Sequence, residues 1–193
     1  MKEREFAKNV SLLKVGGVFR PADAASGVGR DGRFRTAVIF LSVTGHTASL
    51  AEAAARAAGA DLFRLVPQPP YPDARLDAAR EVGREQKTGI VRAVRCPPFE
   101  PADYDALIVL TPTWNGRVAG PFAAWLKARN LQGRFAVTGS THGGGGVMKT
   151  RSDFRAALPG VRLGTHLAVL GSVAPRDERV ISRLRENGLT ARR

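Results

Sequence analysis

The chain has one cysteine and three histidines, and no apolar run approaches the roughly 20 residues that a membrane span needs. Each shortage removes a class of protein. A lone Cys96 allows no internal disulfide, no thiolate metal cluster and no CxxC pair, which fits a reducing cytoplasm. It precedes Pro97-Pro98 with no base beside it and is assigned no role. His46, His142 and His166 are dispersed without metal-ligand spacing, so no metal site is expected. The apolar stretch at 10–18 is broken by Ser11, Lys14 and Gly16-Gly17, a poor secretory signal. The loop at residues 42–47, which follows the first apolar run, has neither the GxxxxGK[ST] spacing and lysine of a P-loop nor GxGxxG, which disfavours ATP and a Rossmann-bound dinucleotide there. Acid is scarce as well: 17 Asp and Glu stand against 30 Lys and Arg, a formal charge of +13. That balance favours anionic partners: a nucleotide cofactor, an acidic protein, or nucleic acid held non-specifically. The basic residues are scattered among acids, with no dense run interleaved with aromatics, so nucleic-acid binding is not expected as the main function.

What is present is a β-α alternation. A length of 193 residues, 44% of them hydrophobic, suits one compact domain with tails. Residues 1–35 form a basic leader without sustained periodicity, ending in turn-rich residues 26–32, and are expected to be a partly ordered extension. Residues 37–41 are a short continuous apolar run, the pattern of a strand covered on both faces. An Ala-rich helix is expected over 47–58, stopped by Gly59, and then a second strand over 61–66. Residues 67–101 read as an irregular crossover with a helix near 73–85. Strands follow at 106–110, 134–138 and 162–170, with helices at 121–128 and 148–158 and a last amphipathic helix that groups Val180, Ile181 and Leu184. Five strands alternating with helices require a parallel sheet with helices on both faces, because parallel neighbours need crossover connections. No repeat of fixed period is found.

In such a sheet, ligands bind beyond the carboxyl ends of the strands, and three strand ends here have unusual composition. Ser42-Val43-Thr44-Gly45-His46-Thr47 offers three hydroxyls, a glycine for close backbone approach, and the free amides of a helix start, which together make a phosphate cradle. The same residues also suit an ordinary helix cap. His46 is expected to contribute its backbone amide rather than acid-base chemistry. Thr111-Pro112-Thr113-Trp114-Asn115-Gly116 places a Trp on a polar segment, where it stacks on a flat ligand or packs under a neighbouring loop. Trp125, aligned with Phe122 and Leu126, belongs to the core. Ser140-Thr141-His142-Gly143-Gly144-Gly145-Gly146 spends backbone entropy on four glycines, which calls for positive φ angles, close ligand approach, or a simple flexible loop. His166, inside the last strand, is read as structural.

Ser42-x-Thr44-Gly45-x-Thr47 after an apolar first strand resembles the phosphate loop of flavodoxins. The stretch 103–126, with Pro112-x-Trp114-x-Gly116 and Pro121, is similar to the second flavin loop and following helix of short flavodoxin-like proteins, and the Pro70-Tyr71-Pro72 turn and the glycine loop fit the same group. The resemblance covers about residues 36–172. It implies a doubly wound, five-stranded parallel sheet of order 2-1-3-4-5; the residues outside it read as a basic extension at 1–35 and a C-terminal helix and basic tail at 173–193. It implies FMN as cofactor, the phosphate held by Ser42, Thr44, Gly45, His46 and Thr47. Trp114 would stack on the ring, Pro112, Thr113, Asn115 and Gly116 would border it, and Thr141, His142, Gly143, Gly144 and Gly145 would enclose the other edge. The family often has a second aromatic where this chain has Asn115, and it is commonly acidic. The expected function is therefore a flavoprotein that carries or transfers electrons, serving an acidic redox protein or a small-molecule acceptor. Two alternatives stand beside it: an NAD(P)H-dependent flavin or quinone reductase, and a non-redox module docking an acidic partner. Arg117, beside the expected ring site, would favour a reduced, anionic cofactor.

Overall fold

The computed structural model of the protein describes residues 35–172 and 178–189. The expected extension, apart from Arg35, lies outside the described residues, as do 173–177 and the tail at 190–193. The elements run β1 (Thr36–Leu41), α1 (His46–Ala58), β2 (Asp61–Gln68), α2 (Arg75–Thr88), β3 (Ala93–Arg95), β4 (Ala106–Trp114) and β5 (Arg117–Val118). They continue with α3 (Gly120–Lys127), β6 (Phe135–His142), α4 (Thr150–Ala157), β7 (Arg162–Leu170) and α5 (Glu178–Glu186). No helix among the described residues is long and apolar enough to cross a membrane.

Five parallel strands lie side by side as β2-β1-β4-β6-β7, the 2-1-3-4-5 order implied by the resemblance. The structure adds two short antiparallel strands, making seven. β3 pairs with the outer edge of β2, and β5 folds back on the far end of β4. β5 exists because Asn115 and Gly116 adopt φ of 48° and 78°. Positive φ at both central residues is what a two-residue type I′ hairpin demands, and Asn-Gly is its preferred sequence.

β1 is buried along its whole length because both faces of the sheet are covered. The two-residue period of a strand sends Ala37, Ile39 and Leu41 to one face, against Phe122 and Leu126 of α3 and Phe154 of α4. Val38 and Phe40 go to the other, against Leu50 and Ala54 of α1 and Val180 and Leu184 of α5. Each large aliphatic or aromatic side chain buried in this way contributes about 1.5–3 kcal/mol. Trp125 is buried in the first of these clusters, as its helical spacing indicated.

β4 and β6 each run four residues past their expected ends at 110 and 138, so Thr111, Pro112, Thr113 and Trp114, and likewise Ser140, Thr141 and His142, are strand residues and not loop. The sheet register carries them there, with Thr111 opposite Ser140 and Thr141 opposite Val169. At Gly139, between β4 and β7, an added Cβ would lie 2.8 Å from Leu110 Cδ2 and 3.1 Å from Leu167 Cβ. Gly139→Ala is expected to destabilise the protein by roughly 1–3 kcal/mol through overpacking. Chemical denaturation measures this, and an unchanged midpoint would contradict the packing described.

α2 differs from the other helices. Among its described side chains Val82 alone is buried, and the helix stands at the carboxyl edge of the sheet rather than flat on one face.

Candidate functional site

The carboxyl ends of β1, β4, β6 and β7 enclose a cavity of about 540 Å³, within the roughly 300–1,000 Å³ usual for small-molecule sites. β1 and the start of α1 contribute Val43, Thr44, His46 and Thr47, and the end of β4 contributes Pro112, Thr113, Trp114 and Asn115. The end of β6 contributes Thr141, His142 and Gly143. The three segments singled out in the sequence thus meet around one space. Two further contributions were not foreseen: Ala78, Ala79 and Val82 of α2 form an apolar wall, and Leu170, Gly171 and Ser172 continue from β7. The rule that ligands sit beyond carboxyl strand ends could have flagged the β7 residues. Nothing local marks the α2 wall.

Ser42, Gly45, Gly116, Gly144 and Gly145 do not line the cavity. Gly45 caps α1 from behind with φ 91°. Gly116 and Gly145 are seats for Met148: a Cβ on Gly116 would lie 2.7 Å from its Cε, and one on Gly145 2.9 Å from its Sδ. Met148 itself holds φ 42°, and the next amide, that of Lys149, donates to the Gly116 carbonyl at 3.0 Å. The missing side chains at these two positions are explained by packing between the hairpin and the glycine loop. The Gly144 amide donates to His142 Nδ1 at 3.1 Å, which folds the loop onto the end of β6.

α1 begins without a side-chain cap and without an acidic residue in its first turn. Its first amides therefore have no protein anion or capping oxygen to satisfy them, and its dipole favours a negative group there. The buried hydroxyls of Ser42 and Thr113 have no hydrogen-bond partner. Thr47 and Thr141, both buried, join their hydroxyls at 2.7 Å and tie the first loop to the end of β6. The free helix start, with Thr44 and His46 lining the cavity beside it, suits a phosphate group, so the residues present fit the phosphate of a flavin nucleotide. Trp114 is half-buried, with its ring edge-on to Tyr71 at 4.8 Å between centroids and 72° between planes. It packs beside the core and also lines the cavity.

Arg117 is not at the cavity. Its guanidinium forks onto Asp153, with Nη2 2.7 Å and Nε 2.8 Å from the two carboxylate oxygens. Burial works against the Asp153 carboxylate, but Arg117, the Val118 amide and Lys149 outweigh it and hold its pKa below the usual carboxylate value. The charge expected to act on the ring is thus spent fastening the β5 hairpin to α4. Burial pushes the Cys96 thiol up to about 11, against a weaker pull from Arg129, so it is protonated at neutral pH.

His166 supports the glycine loop from below. The Thr150 hydroxyl donates to the Val147 carbonyl at 2.6 Å, so it accepts from His166 Nε2 at 3.0 Å, leaving Nδ1 to accept from Thr138 at 2.9 Å. Burial, with Arg151 adding to it, pushes the imidazole pKa down to about 4. Between about pH 6.5 and 4 the unfolded chain binds a proton that the folded chain refuses, so this contribution is complete above pH 6.5 and lost as pH falls through that window. Allowing for partial exposure, the loss is expected to be about 1–2 kcal/mol. Denaturation at pH 7 and pH 4 measures it, and an equal drop in His166→Asn would show that the imidazole is not its source.

A family model described as flavodoxin matches residues 35–178. No curated protein matches the chain. Among solved structures, a flavoprotein of Lactobacillus acidophilus, determined in complex with FMN, is similar with a TM-score of 0.62 and 16% identity over 70% of this chain and 93% of its own. A Bacteroides eggerthii protein assigned provisionally to the flavoproteins aligns with a TM-score of 0.69 and 21% identity, covering 80% of this chain and 98% of its own. A Bacteroides uniformis protein assigned in the same way gives 0.69 and 20%, over 79% and 98%. At these identities the likeness establishes the fold.

Proposed function

This chain belongs to the flavodoxin family, whose members carry FMN, and from that premise we propose that its cavity holds FMN and that the protein carries or transfers electrons through it. The observation behind the reading is the set of unmet polar groups at the carboxyl ends of the neighbouring strands β1 and β4. The first turn of α1 is uncapped, and the buried Ser42 and Thr113 hydroxyls have no protein partner. A phosphate at the cavity satisfies the helix amides.

When bound, FMN supplies the redox chemistry, and the protein supplies binding, orientation and electrostatics. Thr44, His46, Thr47 and the α1 amides hold the phosphate. Trp114 offers the ring a face, while Asn115, Thr141, His142 and Gly143 border it. Ala78, Ala79 and Val82 exclude water from one side of the cavity. No side chain need act as a nucleophile. The charge of +13 selects an acidic redox protein or an anionic small molecule as the electron partner.

A visible absorption spectrum of the purified protein, followed by titration with FMN, tests the reading. Flavin bands, or saturable uptake of added FMN, are expected. A colourless protein that takes up no FMN would instead select a non-redox docking module. Mixing the loaded protein with NADH or NADPH then separates a carrier, reduced slowly, from a reductase, reduced within one turnover time.

A further inference from the structure

A polar cluster between α2 and the Pro69-Pro70-Tyr71 turn is used by nothing described above. At its centre is Arg92, whose side chain is 9% exposed. It donates to Glu81 and Glu85 of α2, and to the carbonyls of Pro69 at 2.9 Å and Pro70 at 3.0 Å. Its guanidinium lies 3.8 Å from the centre of the Tyr71 ring. Tyr71 donates to Glu85 and sets its ring edge-on to Trp114. From α2, Gln86 donates to the Trp114 carbonyl at 3.3 Å and accepts from Asn115 Nδ2 at 2.9 Å.

Beside its packing on the core and its pairing in the hairpin, two contacts of Trp114 lead back to one cation. Its ring is propped by Tyr71, which Arg92 covers, and its backbone is tied to α2, which Arg92 grips through two carboxylates. α2 buries only Val82 among its described side chains, so its position depends on such polar ties. A buried ionic cluster is weak evidence for stability, since apolar residues of similar volume often do as well. What it offers here is a directed geometry: a forked donor that holds a helix and a turn at fixed relative positions.

We propose that Arg92 is a positioning residue that sets the plane of Trp114, and with it the face that the cavity offers to the flavin ring; this rests on the reading that the cavity holds FMN. Arg92 touches no bound group itself. It acts through Tyr71 and α2.

The test compares Arg92→Met, Arg92→Lys and Tyr71→Leu with the wild type, using Arg80→Met as a control that removes an exposed charge from α2. Three quantities are read: FMN affinity, quenching of FMN emission in the complex, and the fluorine NMR signals of protein labelled with 5-fluorotryptophan, without FMN. R92M and Y71L are each expected to weaken FMN by roughly 5- to 20-fold, the scale of one lost aromatic contact. They should also restore part of the emission and shift or broaden the Trp114 resonance while that of Trp125 stays in place. R92K should fall between, and R80M should match the wild type. If R92M and Y71L melt lower yet keep the wild-type quenching and Trp114 resonance, Arg92 is merely structural and the proposal is overturned. Should R92M not fold, a folded Y71L with both signals unchanged overturns it equally. A wild type that takes up no FMN sinks the functional reading alone, because the fluorine signal still decides the positioning.

Discussion

Replacing Thr44 with aspartate is expected to weaken FMN binding by about 100-fold or more while leaving the fold intact. Thr44 is exposed and lines the cavity one residue before the Gly45 cap of α1. A carboxylate about 5 Å from a phosphate charge costs about 3 kcal/mol per pair at an effective dielectric constant of 20, and a dianion raises the cost. The same carboxylate beside an uncapped helix start should stabilise the FMN-free protein by about 0.3–1 kcal/mol. The two effects have opposite signs, so lost binding cannot be blamed on lost folding. Fluorescence titration with FMN and thermal melts of the FMN-free protein measure them, with Thr44→Ser as the variant that keeps the hydroxyl. Wild-type affinity in T44D would put the phosphate elsewhere. The repulsion should also weaken as salt is added, because the site opens to solvent.

The second large effect is expected at Trp114. Trp114→Ala removes the aromatic face from the cavity and should weaken FMN by about 10- to 100-fold, corresponding to the 1–3 kcal/mol typical of aromatic stacking. It should also cost about 2 kcal/mol of stability, less than for a fully buried Trp, since the indole is half-buried beside the core. Trp114→Phe keeps a face and the edge contact with Tyr71, so its affinity should stay within a few-fold of wild type. If W114A and W114F lose stability in proportion to size but bind FMN equally well, the indole serves only as packing under the hairpin.

The central strands β1, β4 and β6 were legible because each carries a short run of residues buried on both faces, and such runs have few competing explanations; β2 and β7, nearer the sheet edges, are only partly buried. The strand ends were not legible. Hydrophobicity stops at Leu110 and Val137, yet β4 and β6 continue to Trp114 and His142, since polar side chains such as Thr111 and Ser140 are buried there and the ladder to neighbouring strands holds the backbone. β3, three residues at a sheet edge, has too little pattern to announce itself. β5 did have a signal, the Asn115-Gly116 pair, which the reading of Gly116 as a ligand contact overlooked. Four glycines in a row indicated an unusual backbone but not its purpose. At Gly145 and Gly116 the cause is the Met148 side chain.

The loop from Ser42 to Thr47 shows where the boundary lies. The amino-acid sequence by itself determined its chemistry, hydroxyls and a glycine before an Ala-rich helix, because strand, turn and helix start are encoded by neighbours a few residues apart. It also determined the β-α alternation, and through the family resemblance the order of the parallel strands. Only the tertiary structure decided that Thr47 meets Thr141, 94 residues away, that Arg117 turns to Asp153 and leaves the cavity, and that α2 supplies a wall held in place by Arg92. Those are contacts between side chains brought together by packing, and no local period or motif records which distant residue will fill the space.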